Sequence, residues 1–169
     1  MIGRLARSIV LAATLSIVVA GCVTTTPSER ETTMDHVEAK AELATLLEAA
    51  QNAIGGEWEG SDTGARACGL PGGDEGAAYG LNRRGAGVEQ AQQQAVIDAI
   101  VAAWADNDVD AVVTTKPEVN DVVVTQLRYP ASGVEADGFY AEVWISWRAS
   151  SVSGQTRCAS GDAAEINAS

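Results

Sequence analysis

Apolar positions recur at helical spacing in two stretches of the chain. From Thr33 to Ile54 they fall three or four residues apart, charged residues occupy the other face, and two glycines follow. The same spacing returns from Val88 to Ala105. This periodicity, with glycine at the end of the first stretch, is typical of amphipathic helices. We therefore predict two helices, the first beginning at a capping box formed by Thr32 and Asp35.

Beyond residue 108 the pattern changes to an alternation of apolar and polar residues. Three stretches show it, at residues 109–115, 121–129 and 138–150, and prolines mark the turns between them. Alternation of this kind predicts strands. Residues 155–158 suggest a fourth paired segment and residues 77–83 a weak strand. The stretch 55–76 is rich in Gly, Asp and Ser, which predicts a loop.

This order of elements predicts a fold class. Strands joined by short turns pair with one another, and helices need one apolar surface to cover. We predict an α+β fold, a two-layer sandwich in which an antiparallel sheet of three to four strands carries two helices on one face. A single domain is expected over residues 32–158, with residues 159–169 as a flexible tail.

The first residues have the pattern of an export signal. Arg4 and Arg7 precede an apolar run of about a dozen residues, which is too short to span a bilayer. Val19-Ala20-Gly21-Cys22 resembles the lipobox of bacterial lipoproteins. This resemblance implies a signal peptide at residues 1–21, lipidation at Cys22 and a tether at 22–31. The expected location is the extracytoplasmic side of the cell membrane, with the lipid anchor at Cys22 as the membrane contact.

Two cysteines remain once Cys22 is assigned to lipid. An even pair in an exported protein most simply forms a disulfide, so we predict one between Cys68 and Cys158. The alternative is a metal held by both thiolates and His36, but that set lacks a fourth ligand. The sequence therefore predicts no metal site.

The acidic composition and the absence of known motifs exclude several classes of function. The chain has 11 Lys and Arg against 23 Asp and Glu, and a formal charge of −12. It offers no clustered basic face for a phosphate backbone, so no nucleic-acid partner is expected. The glycine segments lack the full phosphate-loop and dinucleotide patterns, so no cofactor is expected either. His36, the one histidine, is interpreted as solvated surface, and no catalytic residue is assigned.

A wider resemblance covers most of the chain that would remain after removal of the signal peptide. Its features are an N-terminal helix, Gly-Gly-x-Trp58, Cys68-Gly-Leu-Pro-Gly-Gly followed by Tyr79, a helix ending in Trp104, Val-rich strands and the late Cys158. This order resembles small secreted or lipid-anchored proteins of high-GC Gram-positive (actinobacterial) bacteria. The resemblance implies the compartment and a family without an established activity. It transfers no functional residues.

One strand face stands out as a possible interaction surface. Alternation places Tyr140, Trp144 and Arg148 together, opposite Phe139 and Trp147. Tyr, Trp and Arg are enriched at protein interfaces. The competing interpretation is that a second layer, such as the glycine-rich loop with Trp58, covers this face.

These features together predict a lipid-anchored module without catalytic activity. Its expected role is binding or protein interaction in the cell envelope, with an envelope protein or a small ligand as the partner. The alternative is a cell-wall enzyme that uses a pair of its many carboxylates.

Overall fold

The computed structural model describes residues 34–168. The predicted signal peptide, Cys22, the tether and Thr32 lie outside the described residues. Those described form three helices and seven strands, in this order: α1 (His36–Ile54), β1 (Trp58–Gly69), β2 (Glu75–Ala86), α2 (Gln93–Ala105), β3 (Val112–Thr115), β4 (Thr125–Tyr129), β5 (Tyr140–Ile145), β6 (Ala149–Gln155), β7 (Ala159–Ser160) and α3 (Ala163–Ala168).

All seven strands belong to one antiparallel sheet. Its strand order is β1-β2-β6-β5-β4-β3. The long strand β2 pairs with β6 along residues 80–86 and with the short β7 at residues 76 and 77. The chain therefore returns twice to the same edge of β2, first as β6 and then as β7.

The predicted sheet of three to four strands with two helices is wrong. The region predicted as a loop and a weak strand forms the hairpin of β1 and β2. The stretch 138–150 is two strands, because a turn at residues 146–148 separates β5 from β6. Residues 159–168 were expected to be a flexible tail, but they form β7 and α3. Each difference adds an element that the sequence pattern does not reveal.

The first helix begins at Asp35. The carboxylate of Asp35 accepts hydrogen bonds from the N–H groups of Val37 and Glu38, at 2.8 and 2.9 Å. These N–H groups have no partner within the helix, so the side chain satisfies them. The helix ends at Gly55, whose φ of 77° lies in the left-handed region that glycine adopts readily. Asp35 itself is therefore the cap residue.

Helices α1 and α2 pack together on one face of the sheet and form the main core. Trp104 of α2 is fully buried, and its indole N–H donates to the carbonyl oxygen of Leu46 on α1 at 2.9 Å. Burial of each large apolar side chain stabilises the fold by about 1.5–3 kcal/mol. The fully buried members include Leu43, Ile100, Leu127, Phe139, Ala141, Val143, Ile145 and Val152.

A second apolar cluster lies under α3 on the same side of the sheet. Tyr79 and Ala163 are buried there, and Ile166 packs against them. The side chain of Asn167 binds both the N–H and the carbonyl oxygen of Ala65, each at 2.8 Å. This pair satisfies the backbone where the register of β1 shifts between residues 63 and 66. The last helix is therefore built into the fold.

The predicted disulfide between Cys68 and Cys158 is present. The two Cα atoms lie 5.9 Å apart, within the usual range for a disulfide. The bond joins the end of β1 to the residue before β7. It therefore fastens the C-terminal segment to the β1–β2 hairpin.

Candidate functional site

The face of the sheet opposite the helices carries the candidate site. Side chains alternate between the two faces of a sheet, so those flanking the core positions point away from the helices. No helix or strand among residues 34–168 packs on this side. We call it the open face, and define it by these residues: Glu59, Ser61, Thr63, Asn82, Arg84, Val112, Thr114, Lys116, Gln126, Arg128, Tyr140, Glu142, Trp144, Ser151, Ser153 and Gln155.

The strand register places the two aromatic side chains of β5 at the centre of this face. Trp144 lies between Ser151 of β6 and Gln126 of β4. Tyr140 lies beside Gln155 of β6. Both rings are half-buried. The centre of the open face is therefore aromatic, and its surroundings are polar.

Arg128 and Glu142 form an ion pair between the two aromatic rings. They face each other across β4 and β5, and their side chains are 22% and 12% exposed. The indole N–H of Trp144 also donates to Glu142. The guanidinium of Arg128 donates to the Gly133 carbonyl oxygen and lies 5.3 Å from the centroid of the Tyr140 ring. These contacts hold both rings in fixed positions on the sheet.

The open face has a small excess of cations, unlike the chain as a whole. Glu142 pairs with Arg128, and Glu59 of β1 lies directly opposite Arg84 on the same face, so its carboxylates are Glu59 and Glu142. The ammonium of Lys116 lies 5.5 Å from the centroid of the Trp144 ring. Among residues 34–168, neither Lys116 nor Arg84 has an ion-pair partner. Its cations, Arg84, Lys116 and Arg128, therefore exceed its carboxylates, Glu59 and Glu142, by one, in a chain whose formal charge is −12.

The two serines of β6 form the floor of a shallow trough. Ser151 and Ser153 are short, and they lie between the large side chains of β5 and those of Asn82 and Arg84 on β2. Neighbouring strands lie about 4.8 Å apart, so the walls are about 10 Å from each other. A trough of this width, with hydroxyl groups along its floor, can accept a single extended chain or a small polar ligand.

Two of the three predicted interaction residues belong to the open face. Tyr140 and Trp144 lie on it, but Arg148 does not. β5 ends at Ile145, and Arg148 lies in the following turn with its guanidinium 4.7 Å from the centroid of the Trp147 ring. Trp147 is 50% exposed, although the alternation placed it with the core side chain Phe139.

The sequence analysis missed the polar members of the site. Arg84, Lys116 and Arg128 come from three separate parts of the chain, and only the register brings them to the same face. The predicted cover of this face is also absent among the described residues. Trp58 packs against the main core, where its ring covers Gly85 on the helix side of β2.

The side chains considered for catalysis have structural partners. Two carboxylates that the fold brings together, Glu42 and Asp137, both bind the guanidinium of Arg157 at 2.6 Å. Nδ1 of His36 lies 3.3 Å from the Ser160 carbonyl oxygen, and its ring stacks on Tyr79 with centroids 6.4 Å apart. His36 is thus half-buried, and its interpretation as solvated surface is wrong.

Other features of the described region do not form a better candidate. A groove of about 550 Å³ lies between the end of α1 and the start of α2, but its lining is mostly small or aliphatic and has one charged residue, Glu89. Within residues 34–168, no three His, Cys, Asp or Glu side chains are grouped so that they could hold a metal ion. None of the described helices combines the length and the apolar character needed to cross a bilayer.

Comparisons with known proteins give one similar structure. No protein-family model matches the chain, and no curated protein matches it. Among solved structures, the chain is similar to a DUF4853 family protein from Actinomyces odontolyticus, an actinobacterium. The identity is 15% and the TM-score 0.40, over 73% of this chain and 69% of that one. At these values the similarity does not assign the chain to that family.

Proposed function

We propose that this protein is a non-catalytic binding module of the cell envelope, lipid-anchored at Cys22, and that its open face binds an anionic ligand. The ligand is an acidic protein segment or a small acidic molecule on the extracytoplasmic side of the membrane. The observation that carries this proposal is the position of Arg84 and Lys116 beside the aromatic centre of the open face, neither of them within 4 Å of a carboxylate among residues 34–168, with Glu59 the carboxylate opposite Arg84 in the register.

The position of the two cations explains how an anion would be held. Arg84 and Trp144 lie on either side of Ser151, and Lys116 lies over Trp144. An acidic group above Ser151 would be within reach of the guanidinium, the ammonium and the serine hydroxyl. Hydrogen bonds between charged groups are about twice as strong as those between neutral ones. The neighbouring ring of Trp144 would add apolar contact area.

The difference in charge between the open face and the chain as a whole also favours selective binding. Much of an acidic chain repels anions, so an acidic ligand is favoured where the cations of the open face outnumber its carboxylates. Such steering weakens as salt is added, because charges more than about 8–10 Å apart are screened at physiological ionic strength. Binding through this face should therefore be strongly salt-dependent.

The proposed location has support that is independent of the open face. Residues 1–22 have the pattern of a lipoprotein signal that ends at a cysteine. The disulfide between Cys68 and Cys158 suits an oxidising compartment outside the cytoplasm. A tether of polar residues after Cys22 would leave the domain free to meet ligands near the membrane.

Site-specific crosslinking in intact cells tests the proposal. A photo-crosslinking amino acid replaces Ser151 in the trough, and in a control chain it replaces Glu48 on the exposed side of α1. We expect a discrete adduct from position 151 only. The substitutions Arg84→Glu and Trp144→Ala should each reduce it several-fold, because they remove a cation and the aromatic wall.

Matched substitutions in the neighbouring turn control for general damage. Arg148→Glu and Trp147→Ala change the same residue types outside the open face, so they should leave the adduct unchanged. Equal crosslinking from positions 151 and 48 would contradict the proposal. So would an adduct that survives Arg84→Glu in high salt.

A further inference from the structure

The outer edge of β3 is an unpaired edge of the sheet. β3 is last in the strand order, and within residues 34–168 it pairs only with β4. Its four residues are uncharged and β-branched, and all four are exposed. Proteins usually protect such an edge with a charge, a proline or a bulge inside the strand. β3 is short, with four residues, but it contains no charge, proline or bulge, so its outward backbone groups remain available to another strand.

The ladder with β4 shows which backbone groups of β3 point outward. The N–H of Lys116 donates to the carbonyl oxygen of Val124 at 2.8 Å, which makes these residues a hydrogen-bonded pair. Such pairs alternate along an antiparallel ladder, so the even-numbered residues of β3 also bond to β4. The N–H and C=O groups of Val113 and Thr115 therefore point away from the sheet, as do those of Ala111 by the same alternation.

The charges on either side of this edge are self-complementary. Asp110 precedes the uncharged stretch and Lys116 follows it, each three positions from Val113. When two copies pair antiparallel about Val113, Asp110 of each copy lies opposite Lys116 of the other. Cross-strand pairs of opposite charge stabilise a sheet, whereas like charges destabilise it. The flanking charges therefore favour this register.

The backbone favours the same register. Pairing about Val113 sets Ala111 of each copy opposite Thr115 of the other, so that all outward groups find partners, with about six interchain hydrogen bonds. A register shifted by two residues toward the C-terminus would set Ala111 opposite Pro117, which has no N–H, and Asp110 opposite Glu118. A shift of two the other way would set Thr115 opposite Val109, whose N–H already donates to the Trp104 carbonyl oxygen.

We propose that two copies of this chain associate through their β3 edges into one continuous antiparallel sheet. The contact would cover Val112 and Val113, which are 43% and 44% exposed. A two-fold axis through the contact, perpendicular to the sheet, keeps both open faces on the same side. The dimer therefore presents two open faces side by side, and an anion on either face and Asp110 of the other copy compete for the same Lys116 ammonium.

Sedimentation of the full chain over micromolar to millimolar concentrations tests this proposal. We expect a monomer–dimer equilibrium. Val113→Pro removes an outward N–H from each copy and leaves the ladder with β4 intact, so it should weaken the dimer by at least about tenfold. At a concentration where both chains are monomeric, it should leave the melting temperature unchanged. Lys116→Asp places like charges opposite each other twice, and should also weaken it by about tenfold.

A charge exchange distinguishes this contact from other modes of association. The double variant Asp110→Lys with Lys116→Asp restores two opposite-charge pairs, so it should dimerise nearly as well as the original chain. A chain that stays monomeric at millimolar concentration overturns the proposal. A dimer that is indifferent to Val113→Pro and to the charge substitutions overturns it equally, because its contact must lie elsewhere.

Discussion

At the scale of single residues, Arg157 joins three parts of the fold. Its guanidinium donates to both carboxylate oxygens of Glu42 on α1, at 2.7 and 2.6 Å, and to Asp137 before β5 at 2.6 Å. It also lies 5.2 Å from the centroid of the buried Phe139 ring. The hydrogen bond with Glu42 is the main cause that raises the pKa of Arg157 above its ordinary value.

We expect Arg157→Met to destabilise the domain modestly. The three side chains are 30–34% exposed, so solvent screens their attraction. A bidentate arrangement still exceeds an ordinary surface pair, and we expect a loss of about 1–2 kcal/mol in the free energy of unfolding. Urea denaturation measures it. Arg148→Met is the matched control, since Arg148 has no ion-pair partner among residues 34–168 and should change stability little. Equal losses in the two variants would contradict this role for Arg157.

At the scale of elements, the disulfide stabilises the C-terminal segment. β7 has two residues and α3 has six, and an isolated helix of that length is unstable in water. Cys158 lies directly before β7, and its bond to Cys68 holds this segment against the β1–β2 hairpin. The Asn167 contact with Ala65 then aligns α3 with β1.

Replacing both cysteines by serine should therefore affect one end of the sheet first. The loop between them has a sequence separation of 90, for which the chain-entropy model gives about 4–5 kcal/mol of stabilisation. We expect that loss in urea denaturation. Hydrogen exchange should show faster exchange in β7 and α3 than in β5, whereas uniform acceleration would show that the disulfide acts on the whole sheet alike. A Cys22→Ser variant controls for the loss of a thiol outside this pair.

The elements that the sequence predicts are those with a one-sided apolar pattern. α1 and α2 show helical periodicity and β5 shows alternation, because one face of each is buried in the main core. β1 lies at a sheet edge and is mostly exposed, so its Gly, Ser and Asp residues have no burial pattern to show. The turn at 146–148 was missed because its residues continue the alternation of β5. The hydrophobic pattern of the sequence therefore predicts which faces are buried better than it predicts where strands begin and end.

The candidate site was predictable only in part, for a related reason. Tyr140 and Trp144 are four residues apart on one strand, so alternation places them together. Arg84, Lys116 and Arg128 reach the same face through the pairing of distant strands. No spacing along the chain encodes that register. The chemistry of the open face therefore becomes visible only once the strand order is known.

At the scale of the whole molecule, the predicted lipid anchor and the acidic charge make separable contributions to location. A chain with a formal charge of −12 is repelled by anionic headgroups, so it has no electrostatic means of staying on a membrane. A chain lipidated at Cys22 would be retained by buried acyl groups, at about 0.8 kcal/mol per CH₂. Retention should therefore depend on Cys22 and be insensitive to salt.

We expect Cys22→Ala to move the protein from the membrane fraction to the soluble fraction. Fractionation of cells with and without high-salt washing measures this shift, and incorporation of an alkyne-labelled fatty acid shows whether the cysteine carries lipid. Cys68→Ser with Cys158→Ser is the matched control, because it removes two cysteines and should leave the protein in the membrane.

If Cys22→Ala stays membrane-bound after the salt wash, the mass of its N-terminus identifies the cause. An intact apolar run would indicate an uncleaved signal acting as the anchor, since about a dozen apolar residues can insert without spanning the bilayer.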